Sequence, residues 1–71
     1  MKTYKEALYA IAQESAQVKR AQYLGGANQY RGFDSHAIAA TLSLIFEVDF
    51  KTARNEFDDL EFELYEELKF K

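Results

Sequence analysis

Residues able to do chemistry are few in this 71-residue chain, which holds no cysteine and one histidine. His36 follows Asp34 by two places, but both fall at a predicted helix start, where a capping Asp and a solvent-facing His are the ordinary occupants. Glu63 and Glu67 lie one helical turn apart, yet no His stands in the E-x-x-H spacing of carboxylate-bridged metal sites. No thiol is available as a nucleophile and no serine lies in a G-x-S-x-G turn. A structural zinc site, usually four Cys or His, has no ligand set. The stretch 25–34, GGANQYRGFD, lacks the spacing and the Lys-Ser/Thr ending of a phosphate loop, and Lys19, Arg20 and Arg31 make at most a small basic spot beside it. The expectation is a protein with no catalytic residues, no metal and no cofactor, whose work is binding.

The most informative segment for binding is 50–68. On a helix of 3.6 residues per turn, Ala53, Phe57, Leu60, Leu64 and Leu68 form one apolar stripe, which must face the core. Phe62 points away from that stripe, and Asp58, Phe62, Tyr65 and Lys69 fall on one line at i, i+4, i+7 and i+11. Asp59, Glu63 and Glu66 flank it. An aromatic pair inside an acidic rim has the layout of an interface, the anchor supplying binding energy and the rim selecting the partner. Acids toward the C-terminal end of a helix also oppose its dipole, so stability alone would not choose this arrangement. The partner-binding set expected is therefore Asp58, Asp59, Phe62, Glu63, Tyr65, Glu66 and Lys69. The matching partner is a protein with a basic or nucleic-acid-binding surface, for which the acids imitate phosphates.

These residues need helices to position them, and the breakers permit three. There is no proline, and the three glycines are all confined to 25–32. Thr3 with Glu6 reads as a capping box opening the first helix, and Gly25 is expected to close it in the left-handed conformation. That helix carries a core stripe of Tyr4, Ala7, Leu8, Ile11, Ser15 and Val18. A second line, Tyr9, Ala12, Ala16 and Tyr23, has the small residues that let another helix approach closely. It fits either a neighbour within the subunit or a dimer seam. Asp34 caps a second helix, with Phe33 and Ile38 as its hydrophobic staple. From Ala37 to Phe46 this helix is apolar on nearly every side, so it is expected to be central and buried all round. Two partner helices can hardly wrap it, which points to a homodimer with Leu42, Ile45 and Phe46 substantially buried. Asp49 caps the third helix. The fold expected is all-α, a compact three-helix single domain over 1–71, with helices near 3–24, 35–47 and 50–69.

The segment 42–57, LSLIFEVDFKTARNEF, resembles the helix-turn-helix of bacterial repressors. Leu42, Ile45 and Phe46 precede the turn, Val48 lies within it, and Ala53 and Phe57 follow. That resemblance implies a DNA-binding regulator with Lys51, Thr52, Arg54 and Asn55 facing the groove. The sequence departs from it in having Glu47 where the family favours Gly, and in the seven acids between Glu56 and Glu67. Net charge is −3, with five Lys/Arg against three Asp/Glu in residues 1–35 and four against nine in 36–71. An acidic C-terminal half disfavours nucleic acid or an anionic membrane as partner. No apolar run has the length of a signal peptide core or a membrane span, so a cytoplasmic setting is expected. In size and composition the chain looks like the accessory proteins of bacteriophages and other mobile elements, including inhibitors of host defence or replication.

Overall fold

The structure is a computed structural model that describes residues 3–29 and 31–69. Helix α1 spans Tyr4–Leu24, α2 spans Ser35–Phe46 and α3 spans Phe50–Lys69; among the described residues there are no strands. No helix is long and apolar enough to cross a membrane among the residues described.

Local chemistry explains the helix ends. The Glu6 backbone N–H donates to Thr3 Oγ1 at 3.2 Å while the Glu6 carboxylate accepts from the Thr3 N–H, completing the capping box. The Asp34 carboxylate accepts from the His36 N–H at 3.0 Å, and Asp49 accepts from the Thr52 N–H at 3.1 Å. Each satisfies an amide that an α-helix leaves without an internal acceptor. The close of α1 differs from expectation. Gly25 keeps a right-handed conformation (φ −79°) and Gly26 takes the left-handed one (φ 79°). The Ala27 N–H can then reach the Gln22 carbonyl at 3.2 Å. Helix α2 ends at Phe46, one residue early, because Glu47 adopts a left-handed conformation (φ 56°).

Helix α3, and not α2, is the element on which both others pack; α1 and α2 barely touch. Tyr4 and Lys5 meet Glu56, while Lys19 meets Glu61 and stands over the Tyr65 ring. Helices α1 and α3 therefore run in the same direction. Leu8, Ala12, Ala39, Leu42, Ala53 and Phe57 form the buried core, with Tyr4, Ile11, Ile38, Phe46, Val48, Leu60 and Leu64 around it. Ala12 and Ala16 are both fully buried within the subunit. Covered by their own subunit, they are not available as a seam between copies; Tyr9 and Tyr23 remain on the surface.

The connection 25–34 explains why α2 is not central. Instead of turning directly into the next helix, the chain returns alongside α1. The Gln22 side-chain amide bonds both the N–H and the carbonyl of Arg31, at 2.8 and 2.9 Å. The Phe33 N–H then donates to Ser15 Oγ at 2.8 Å, more than two turns back from the end of α1. Helix α2 thus starts beside the middle of α1 and covers only part of α3. Its inner side, Ala39, Leu42 and half-buried Phe46, reaches the core. Leu44 and Ile45 are 83% and 64% exposed, which corrects the expectation that Ile45 is buried within this fold.

Candidate protein-binding surface

Phe62 is 60% exposed on the outer side of α3, as its offset from the core stripe requires. Asp58, Asp59 and Glu63 around it are exposed and Glu66 is half-buried. Beyond Asp59 and Glu63 lies a shallow cleft between α1 and α3, lined by Lys5, Leu8, Tyr9, Glu56, Leu60 and those same two acids. The two carboxylates thus stand on a ridge, with Phe62 on one side and the Tyr9–Leu60 cleft on the other. Such a surface can seat a cationic side chain, its aliphatic stem in the cleft and its charge against the ridge.

Tyr65 does not belong to this surface. It is 5% exposed, with the Lys19 ammonium 4.8 Å from its ring centroid. The expectation that it pairs with Phe62 fails because the buried arc of α3 is wider than the leucine stripe. Ser15 and Lys19 of α1 extend that arc to Glu61 and Tyr65, and the returning segment at Gly32 closes over Glu61. Lys69 is half-buried, its ammonium 5.6 Å from the Tyr23 ring centroid, so it closes one end of the helix pair.

At the base of that wider arc lies a polar cluster that periodicity alone does not single out. Fully buried Ser15 donates to the Glu61 carboxylate and accepts from the Phe33 N–H. Lys19 Nζ lies 3.5 Å from the other Glu61 oxygen. A Cβ on Gly32 would overlap Ser15 Oγ and Glu61 Oε2, so glycine is required here by close approach. The signal was present in the spacing: Glu61 is one turn from both Phe57 and Tyr65, and Ser15 interrupts an otherwise apolar stripe. Lys19 and Arg31 do line one hollow with Gly32, Phe33 and Asp34, whereas Arg20 lies apart, beside Leu24 and Leu68.

A second polar contact joins the N-terminal ends of the helix pair. The Tyr4 hydroxyl donates to Glu56 at 2.7 Å and Lys5 Nζ lies 2.9 Å from the other oxygen. Hydrogen bonds from Lys5 and Tyr4, with the Lys5 charge, hold the Glu56 carboxyl below the usual carboxylate range. Burial, and then the Glu56 bond and charge, push the Tyr4 hydroxyl up to about 12.

Lys51, Thr52, Arg54 and Asn55 are all exposed on the first turns of α3. On the same outer line they give way within two turns to Asp58, Phe62 and Glu66. His36 is exposed, its ring edge-on to Phe50 at 4.9 Å between centroids, and its backbone N–H, not its ring, is what Asp34 holds. Among the described residues no three His, Asp or Glu side chains gather to hold a metal ion. Comparison with protein-family models, with curated proteins and with solved structures finds no match.

Proposed function

We propose that this chain is a small non-enzymatic interaction protein of the cytoplasm, a homodimer, that binds and blocks a basic, nucleic-acid-binding protein through the outer face of α3. The observation that carries the reading is Phe62, 60% exposed in the midst of Asp58, Asp59 and Glu63. A large apolar side chain held out of the core contributes nothing to folding, and on association its burial is worth about 1.5–3 kcal/mol. Glu66, one turn on from Phe62, and Glu67 lie in the last turn of the helix, where the dipole disfavours acids. Both features weigh against folding and favour a positively charged partner, for which closely spaced carboxylates replace phosphate oxygens. Inhibitors of host defence or replication carried by phages and mobile elements are proteins of this kind.

The test is retention of a partner from the source cell on the immobilised chain, repeated with Phe62→Ala and with Asp59→Asn/Glu63→Gln. The reading expects one basic protein, lost with Phe62→Ala, reduced with Asp59→Asn/Glu63→Gln, and released by salt. A duplex-DNA shift at low salt, falling steeply as salt rises and weakened by Lys51→Ala or Arg54→Ala, would overturn it in favour of a DNA-binding regulator.

A further inference from the structure

Helix α2 leaves a second surface unused, and its chemistry differs from that of α3. Ala37, Ala40, Thr41, Leu44 and Ile45 are all exposed, and their spacing puts them on one side of the helix, opposite buried Ala39 and Leu42. Leu44 is 83% and Ile45 64% exposed. The Thr41 hydroxyl donates back to the Ala37 carbonyl at 3.0 Å, which satisfies its polar hydrogen within the helix. None of the twelve residues of α2 is Asp, Glu, Lys or Arg.

We propose that this face pairs with the same face of a second copy, the two α2 helices running antiparallel about a twofold axis between Ala40 and Thr41. The proposal rests on the homodimer reading above and assigns its seam. Two features select a second copy as occupant. The face is small at one end and large at the other. The twofold therefore sets Leu44 over Ala37 of the partner subunit and Ile45 beside His36 of the partner subunit, with Ala40 and Thr41 packed at the centre. A closed, isologous contact needs such self-complementarity. The second feature is charge. The chain carries a net −3, so two copies meeting on the acidic face of α3 would repel, whereas the α2 helices bring no charged side chain except the exposed caps Asp34 and Glu47 at their two ends.

The size of the face sets the strength. Twelve residues of helix are about 18 Å long, and one side of that falls short of the roughly 800 Å² per partner typical of stable complexes. The dimer is accordingly of micromolar affinity, and it leaves the α3 face open for another protein.

Sedimentation of the full chain over about 1 to 500 μM should show the 8.2 kDa monomer giving way to twice that mass. Leu44→Glu should weaken the association by more than about tenfold with the helical circular dichroism unchanged. Ala37→Leu alone should also break the dimer, because the added side chain meets Leu44. The double exchange Ala37→Leu/Leu44→Ala should restore it, since large and small have merely changed places. A chain that stays monomeric over the whole range would overturn both the dimer and its seam. A dimer that survives Leu44→Glu would overturn the seam alone, as would a double exchange that restores nothing. Loss of helicity in Leu44→Glu counts against the proposal too, for it would place Leu44 in the core.

Discussion

The Ser15 hydroxyl and the Glu61 carboxylate are bonded to each other at the point where α1, α3 and the returning segment converge. Because Ser15 also accepts from the Phe33 N–H at 2.8 Å, one side chain joins all three. Ser15→Ala removes that link, taking away both the acceptor of the Phe33 amide and a hydrogen bond to a carboxylate, at a cost of about 1–3 kcal/mol. Gly32→Ala forces a methyl into the same space and should cost about 1–3 kcal/mol by overpacking. Chemical denaturation reads both. A stability change below ~0.5 kcal/mol in each would show that the segment is not held there.

Much of the fold is legible in the sequence because its signals are local. Thr3 with Glu6, Asp34 and Asp49 each announce a helix start, and the line through Ala53 and Phe57 marks the inner side of α3. What the sequence does not show is the route of 25–34. A ten-residue connection can bridge two helix ends directly or run back along one of them, and the choice depends on Gln22, Ser15 and Gly32, far apart in sequence from what they hold. That route closes Gly32 over Ser15 and Glu61 and shifts α2 aside. The apolarity of α2 requires that something cover it, but it does not say whether the cover comes from the same chain. Phe62 was legible as exposed because the leucine stripe fixes the rotation of α3 independently of that route.

Burial separates neighbouring residues of α2 into two groups with different outcomes. Leu42 is 1% exposed, and Leu42→Ala should cost ~2–5 kcal/mol, enough to unfold most of so small a domain at room temperature. Ile45→Ala, only three residues on, should change the stability of the monomer by less than ~0.5 kcal/mol. Denaturation at concentrations below dimer formation distinguishes them. Equal losses would mean that α2 is rotated from the orientation described.

Glu47 holds a left-handed conformation at φ 56°, costly for a residue with a Cβ. Glu47→Gly relieves that strain and should stabilise the chain by up to ~1 kcal/mol. A thermal midpoint that fell instead would show that the Glu47 side chain contributes more than its backbone costs.

The Tyr4–Glu56–Lys5 contact gives stability a dependence on pH at both extremes. Glu56 has its folded pKa lowered, chiefly by the Lys5 and Tyr4 hydrogen bonds, so it binds its proton less readily when folded than when unfolded. Its contribution is present at neutral pH and lost as pH falls through the folded value. Tyr4 is shifted the other way, from 10.0 to about 12. Its contribution is complete below the unfolded value and disappears as pH rises between the two. Thermal midpoints across the pH range, compared with Glu56→Gln and Tyr4→Phe, should show a shallower acid limb in the first and a shallower alkaline limb in the second. Unchanged limbs would mean that the contact does not persist in solution.

Phe62 offers the sharpest separation of folding from binding. Its ring is 60% exposed, while Phe57, on the same helix, is fully buried. Phe57→Ala should cost ~3–5 kcal/mol and abolish the fold, and with it any interaction. Phe62→Ala should leave the thermal midpoint nearly unchanged, within ~0.5 kcal/mol of stability, yet reduce retention of the partner by tenfold or more, as removal of a central aromatic anchor does. Charge neutralisation at Asp59 and Glu63 should act differently. It should slow association and flatten its salt dependence, with a smaller effect on dissociation, because exposed rim charges steer the encounter more than they hold the complex. Binding kinetics at two salt concentrations resolve the two effects. A Phe62→Ala variant that bound its partner as wild type would remove the anchor from the interface and leave the acidic ridge to be explained by solvation alone.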